Sequence, residues 1–394
     1  MKGARLLLGV TGGIAAYKAI SLTSALVQRG ALVDVVLTAE AERFVAPLSF
    51  ASLTARPVFT SLWDAPERMP HIRLVREAQA AIVAPATAQI IAKLVQGAAD
   101  DLLSTMLLAA RIPIAIAPAM NGAMYEHAAT QEHLATLRER GYTIVEPEVG
   151  YLAEGEYAIG RLADEERLLD AVARMVTPQS LRGLRIAITA GPTRESFDPV
   201  RFVSNASSGA TGIALAREAW RRGADVTLIL GPTLLAAPHD VRSVRVTTAQ
   251  EMLDAALAHA LGADVAIAAA AVSDWRPATH SPSKRKKEES LSSVPLERTP
   301  DVLAVLGERK GATFLVGFAA ETEQHERHAR EKLRRKHLDA IAVNDVGGGR
   351  GFGTGENALV FLFGEEGRKD LGSGDKERLA VRLWDAIEER RACC

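Results

Sequence analysis

The chain has 394 residues, of which 48% are hydrophobic and 24% charged, and a formal net charge of −1. That length exceeds what one core usually supports, so two domains are expected, and the balanced charge excludes a general pull toward nucleic acid or an anionic membrane. No apolar run is long enough to span a bilayer, nothing at the N-terminus reads as a signal peptide, and the only cysteines, Cys393 and Cys394, are adjacent and cannot staple a core; a cytoplasmic two-domain enzyme is expected.

In the first half, apolar runs at 5–10, 31–38, 80–87, 112–119 and 142–146 alternate with helix-period stretches such as 14–29 and 88–110. Near-continuous apolar strands between helices predict a parallel sheet covered on both faces. A last helix at 164–176 leads into 177–183, taken as the linker between a domain at 1–176 and one at 184–394. The second half repeats the grammar, with strands near 185–190, 225–230, 263–270, 313–317, 339–343 and 357–363. It is interrupted by an insertion at 275–299, carrying Lys284-Arg285-Lys286-Lys287, and by the glycine-rich 347–353. The predicted fold class is therefore α/β, two open, mostly parallel sheets with helices on both faces and ligands beyond the carboxyl ends of the strands.

Two strand-to-helix openings carry the chemistry. Thr11-Gly12-Gly13-Ile14 follows the first strand and lacks the three-glycine dinucleotide fingerprint. Taken alone, it fits a mononucleotide phosphate and an ordinary helix-opening turn equally well. Pro85-Ala86-Thr87-Ala88 ends a strand with small residues that let a flat ring approach the backbone, or that merely pack tightly. Asn121, in Pro118-Ala119-Met120-Asn121, can offer an amide to a carboxylate. His71, taken singly, argues for a surface or capping histidine rather than a catalyst.

In order, Gly12-Gly13-Ile14-Ala15-Ala16-Tyr17-Lys18, His71-Ile72, Pro85-Ala86-Thr87-Ala88, Asp101-Leu102-Leu103-Ser104-Thr105 and Pro118-Ala119-Met120-Asn121 resemble the FMN-dependent cysteine decarboxylases, over nearly all of 1–165. The resemblance implies a flavodoxin-like domain binding FMN through Gly12, Gly13, Ile14, Thr38, Ala86, Thr87 and Ser104. It also implies His71 as the catalytic histidine, Asn121 and Met120 on the substrate, and oxidation of the cysteine side chain to a thioaldehyde that loses carbon dioxide to give an enethiol. Two departures stand out. Gln89-Ile90 replaces the usual asparagine–threonine. Glu154 stands where the family carries a proton-donating cysteine: a carboxylic acid in an apolar pocket can donate a proton, another group can serve, or the product stops at the enethiol.

The second opening, Gly191-Pro192-Thr193-Arg194-Glu195, is followed by Asp198-Pro199-Val200-Arg201-Phe202 and Ser204-Asn205-Ala206-Ser207-Ser208-Gly209. The basic run from Lys284 fits an ordinary solvated stretch or a clamp on a triphosphate. Asp274 fits a turn cap, a metal ligand or a nucleotide contact. Together with Ala270-Ala271-Val272-Ser273-Asp274-Trp275, Thr299-Pro300-Asp301-Val302-Leu303, Gly317-Phe318-Ala319-Ala320-Glu321-Thr322, Lys332, Lys336 and Asn344-Asp345-Val346, these motifs resemble the phosphopantothenate–cysteine ligases, over about 184–390.

That resemblance implies a Rossmann-like ligase domain in which phosphopantothenate attacks CTP to form an acyl-cytidylate, and cysteine then displaces CMP. Lys284 would stabilise phosphate charge and Asn205 would orient the acyl-cytidylate. Arg201, Ala268, Ala269, Ala270, Asp274, Pro300, Asp301, Val302, Leu303, Phe318, Lys332 and Lys336 would hold substrates. Mg²⁺ is expected with a triphosphate, without identifiable ligands. Ala210 replaces a common lysine, and the choice of CTP comes from the resemblance alone because base selection rests on a few backbone contacts. The two halves in one chain resemble the bifunctional decarboxylase–ligase family of coenzyme A biosynthesis. Trimeric flavin domains and dimeric ligase domains are implied with it, hence a homo-oligomer acting on small molecules, without nucleic acid or membrane. A flavin-type domain kept only as a binding or oligomerisation module is the alternative; intact His71 and Asn121 argue against it.

Overall fold

A computed structural model describes residues 1–63, 69–284, 293–321, 325–345 and 357–392. Arg285 to Lys287, Thr322, Val346, the 347–353 stretch and Cys393-Cys394 lie outside the described residues. The chain divides into two compact units, Met1–Pro178 and Gln179–Cys394. Among the described residues no helix is long and apolar enough to cross a membrane.

The first unit runs β1 (Arg5–Val10), α1 (Ala16–Gln28), β2 (Leu32–Leu37), α2 (Pro47–Thr54), β3 (Val58–Phe59), α3 (Pro70–Glu77), β4 (Ala80–Ala86), α4 (Ala88–Gln96), α5 (Leu102–Ala109), β5 (Ile114–Pro118), α6 (Gly122–Glu126), α7 (Ala128–Glu139), β6 (Thr143–Ile144), β7 (Glu148–Tyr151), β8 (Tyr157–Arg161) and α8 (Glu165–Val176). The sheet order is β3-β2-β1-β4-β5-β6, all parallel. Without the two-residue edge strand β3, this is the flavodoxin order.

Pleating explains the apolar runs. Leu6, Leu8 and Val10 pack with Leu22 and Leu26 of α1 and Leu168 and Val172 of α8, while Leu7 faces the opposite core with Leu74, Ile91 and Leu103. A strand buried on both faces has no polar side to show, and each such side chain contributes roughly 1.5–3 kcal/mol of burial.

The helix predicted across 88–110 is in fact two. Gly97 ends α4, and Asp101 starts α5 by accepting from the Ser104 amide at 2.7 Å while Ser104 Oγ accepts from the Asp101 amide at 3.2 Å. The segment is apolar on both sides of the break, so periodicity alone could not reveal it. The β7–β8 hairpin, absent from the predicted elements, pairs antiparallel beside the sheet.

The second unit runs β9 (Arg185–Ala190), β10 (Arg194–Ser196), β11 (Phe202–Ser204), α9 (Ala210–Arg221), β12 (Asp225–Leu230), β13 (Arg242–Arg245), α10 (Ala249–Ala260), β14 (Val265–Ala268), β15 (Trp275–Pro277), β16 (Leu296–Arg298), α11 (Val302–Arg309), β17 (Phe314–Glu321), α12 (His325–Arg335), β18 (Ala340–Asp345), β19 (Asn357–Phe363), β20 (Gly367–Gly374) and α13 (Lys376–Ala392). Its sheet order is β13-β12-β9-β14-β17-β18-β19-β20, parallel except for β19 and β20. Trp384 of α13 is fully buried, and its indole donates to the Leu215 carbonyl of α9 at 3.0 Å, locking the two helices over one face. Two antiparallel ribbons, β10–β11 and β15–β16, stand outside this sheet.

In each sheet the strand order reverses beside the first strand of the unit: between β1 and β4, and between β9 and β14. At such a switch point the connections diverge to opposite faces and leave a crevice beyond the strand ends.

Candidate active sites

The crevice of the first unit is a cleft of about 640 Å³ at the carboxyl ends of β1, β4 and β5. Gly12, Gly13 and Ile14 form one rim and Pro85, Thr87 and Ala88 another. Met120 and Asn121 close the third side, with Glu154 and Arg161 reaching in from the hairpin. Thr11 ties the rims together: its hydroxyl donates to the Pro85 carbonyl at 2.8 Å and accepts from the Thr87 amide at 3.0 Å. Gly12 is required by closeness, because a Cβ there would lie 2.3 Å from Glu40 Cβ. Gly160 is required twice over: its φ is +133°, and a Cβ would sit 2.1 Å from the Met120 carbonyl oxygen. The Met120 amide donates to the Gly160 carbonyl at 3.0 Å, which seats the loop carrying Asn121 against β8.

Asn121 caps α6 by accepting from the Ala123 amide at 2.9 Å and turns its own amide to the Glu154 carboxylate. The chain thus brings Asn121 and Glu154 together, although they are far apart in sequence. Glu154 is exposed, so the apolar enclosure assumed from the sequence is not present in the single chain. His71 lies in α3 and does not line this cleft; its Nδ1 is buried without a hydrogen-bond partner. Thr38 lines a separate hollow of about 220 Å³ with Trp63, Asp100 and Asp101. Ser104 is fully buried in the cap of α5, and Ala86 is buried at the end of β4.

Two charged residues of this cleft, Arg161 and Lys18, were not among the predicted site residues. Arg161 pairs with Glu148 at 2.6 Å and Asp164 at 3.1 Å. Burial works against the Glu148 carboxylate, but hydrogen bonds from Arg161 and the Asp164 backbone hold its pKa below the usual range. Lys18, half-buried on α1, has its pKa lowered by burial and by repulsion from Arg161, against the pull of Asp164 and Glu148. Lys18 stood inside a quoted motif; only its burial, which the sequence does not carry, singles it out.

The crevice of the second unit holds about 380 Å³. Its floor is Thr189, Ala268 and Ala270, at the ends of β9 and β14. One wall is Pro300, Asp301, Val302 and Leu303, with Phe318, Lys332 and Lys336 beside it; the other is Asp274, Trp275 and Arg298. Asp301 caps α11 by accepting from the Ala304 amide at 3.1 Å and pairs with Lys336 at 2.7 Å. Burial disfavours its carboxylate, but the hydrogen bonds from Lys336 and Ala304 outweigh it and hold its pKa low. Lys332 donates to the Phe318 carbonyl at 2.9 Å.

Most of the predicted substrate residues therefore meet in one cleft, with four exceptions. Ala269 packs against the core, its amide donating to the Thr189 carbonyl at 3.1 Å. Lys284 is exposed and away from the lining. Asn205 donates to the carbonyls of Ala271 at 3.1 Å and Val272 at 3.0 Å, bracing the loop that carries Asp274. Arg201 is held by the fully buried Asp198, with Nε 2.9 Å from its carboxylate, and is not among the residues lining the cleft. Thr189, Trp275 and Arg298 line the cleft and were not among the predicted site residues. No group of three or more His, Cys, Asp or Glu able to hold a metal occurs among the described residues.

Residues 1–177 match the Flavoprotein family and residues 181–390 match the DNA/pantothenate metabolism flavoprotein C-terminal domain. The chain is 44% identical over 396 residues to the coenzyme A biosynthesis bifunctional protein CoaBC of Vibrio cholerae serotype O1, covering 99% of each. To the CoaBC protein of Escherichia coli strain K12 it is 44% identical over 398 residues, covering 99% of this chain and 98% of that one. Among solved structures, a C-terminal domain of CoaBC is 39% identical and aligns with 55% of this chain and all of that one, with a TM-score of 0.47.

Proposed function

Because the chain belongs to the bifunctional coenzyme A biosynthesis (CoaBC) family, we propose that its two clefts serve consecutive reactions. In the second unit phosphopantothenate is joined to cysteine through an acyl-cytidylate made from CTP. In the first, phosphopantothenoylcysteine is decarboxylated with FMN to phosphopantetheine. The observation that carries this reading is the pair of dissimilar clefts, one at the switch point of each sheet.

The flavin cleft suits its group. Its volume lies within the range of small-molecule sites, about 300–1,000 Å³, and Gly12, Gly13, Ala88 and Thr87 present small or backbone surface to a flat ring. These residues would hold FMN, which when bound supplies the oxidation that prepares loss of carbon dioxide. Asn121 would then orient the substrate carboxylate through its amide, exchanging the contact it makes with Glu154. His71 is outside the cleft of its own chain, which supports a homo-oligomer in which a second copy supplies that histidine.

In the ligase cleft a carboxylate oxygen attacks the α-phosphorus of CTP and pyrophosphate leaves with the bonding electrons. The cysteine amine then attacks the activated carbonyl, loses its proton and releases CMP. A free carboxylate does not acylate an amine at neutral pH, so activation comes first. Lys332 and Lys336 would meet phosphate charge. Lys284, on the segment leading out of β15, would join them when the nucleotide is bound. Mg²⁺ would arrive on the phosphates, with Asp274 available to it, as magnesium commonly takes one or two carboxylates plus substrate oxygens.

Purified protein given phosphopantothenate, CTP, Mg²⁺ and cysteine, with flavin checked by absorbance, should accumulate phosphopantetheine by mass analysis. The exposure of Glu154 favours one second reading, in which the first unit stops at the enethiol. Pile-up of the enethiol would establish it, and pile-up of phosphopantothenoylcysteine would remove the decarboxylase claim.

A further inference from the structure

The ribbon β15–β16 carries two arginines with opposite fates. In its register Trp275 lies opposite Arg298, and Arg276 opposite Glu297. Side chains on a strand alternate between faces, so these two pairs project to opposite sides. On one side Arg276 is neutralised by Glu297 at 2.7 Å. On the other, the Arg298 guanidinium lies over the Trp275 ring, 5.4 Å from its centre, and both side chains line the ligase cleft. Among the described residues Arg298 has no carboxylate partner, whereas Lys336 is committed to Asp301 and Lys332 donates to a carbonyl.

We propose that Arg298, held by its stack on Trp275, is a nucleotide-phosphate contact of this cleft, taking the phosphates beyond the first. The proposal rests on the reading that the cleft binds a nucleoside triphosphate. A guanidinium offers a planar fork that fits phosphate oxygens in pairs and can stack on a ring at the same time. Stacking also fixes a long side chain before the ligand arrives, so less rotamer freedom is lost on binding. When the carboxylate attacks the α-phosphorus, the electron pair of the breaking P–O bond goes to pyrophosphate, and Arg298 meets that charge. Trp275 is a positioning residue for Arg298.

The test uses the full-length flavin-loaded protein and compares CTP with CMP by titration calorimetry. Arg298→Gln should weaken CTP about tenfold or more, the scale of a lost charged hydrogen bond, and change CMP by less than twofold. Arg298→Lys and Trp275→Leu should fall between. Glu297→Gln, on the opposite face, should leave both affinities unchanged. Equal losses for CTP and CMP in Arg298→Gln, no loss for either, or the same loss in Glu297→Gln would each overturn the proposal. If the unaltered protein binds no CTP, the reading of the cleft falls and this assignment falls with it; if it binds CTP and Arg298→Gln does too, only the assignment falls.

Discussion

The two clefts occupy equivalent places in their sheets and differ in how much of a site one chain provides. The ligase crevice draws its floor, both walls and its cations from a single copy, and Ala268, Ala270, Asp274, Pro300 to Leu303, Phe318, Lys332 and Lys336 all line it. The flavin cleft has its glycine rim and Asn121 but not His71, and Thr38 lies on another hollow. Its surroundings also expose large apolar side chains, among them Ile14, Tyr17, Met124, Tyr151 and Tyr157. Contiguous exposed apolar surface marks an interaction site. On the proposed reading, these motif residues belong to one site that a single chain leaves apart.

The largest effect that could break this contrast is in decarboxylation. His71→Asn should lower it by about 10²–10⁴-fold, the contribution of a positioned acid–base group, and Asn121→Ala by about 10²-fold, the cost of a misplaced substrate, with ligation unchanged. Co-expressed, the two variants should regain a measurable fraction, because mixed oligomers would contain sites with both native residues. Unrestored activity in mixed oligomers, shown by tagged pull-down to have formed, would mean that His71 does not act across copies.

Next in size is Gly160→Ala. The left-handed backbone and the Met120 carbonyl both oppose a Cβ, and strain of this kind costs roughly 1–3 kcal/mol. Flavin should be lost as the Asn121 loop is pushed from β8, with CTP binding retained. A variant that purifies yellow with an unchanged melting temperature would show that the hairpin does not brace this cleft.

How far the sequence revealed these features follows from which forces leave a pattern. β1, β4, β9 and β12 were legible because strands buried on both faces are apolar along most of their length. The ribbons β7–β8, β10–β11 and β15–β16 were not, since they bury little and carry no alternation. That is why Arg161, Trp275 and Arg298 escaped notice as site residues: each reaches its cleft from such a ribbon. Residues 88–110 misled for the opposite reason, a helix break set by one glycine and one cap inside apolar sequence. His71, Lys332 and Lys336 were named from family resemblance rather than from residue chemistry, Asn121 from both because its amide suits a carboxylate, and their spacing alone said nothing of which would meet.

The smallest effect tests the comparison through one substitution made in both clefts. Lys18 is pushed below the usual lysine range chiefly by burial, so the folded flavin unit disfavours its charged form. A lysine lowered on folding costs stability at pH values below its folded pKa, and the cost vanishes as pH rises through the unfolded value of about 10.4. Lys18→Met should therefore leave the flavin-free unit as stable or slightly more stable at pH 7–8, while weakening anionic ligands in that cleft. Lys336 is the reverse case, because it holds the Asp301 carboxyl below its ordinary range. A carboxylate depressed on folding contributes stability above its unfolded pKa of about 3.9 and loses it as pH falls through the folded value. Lys336→Met removes that contribution at neutral pH and leaves Asp301 half-paired, so the ligase unit should lose up to about 1 kcal/mol, as partly exposed pairs do. Hydrogen exchange read separately on β1 and α1 and on β17 and α11 assigns each change to its unit. Opposite signs would uphold the view that Lys18 is left for a ligand at a cost in stability while Lys336 is paired in advance; the same sign in both would remove it.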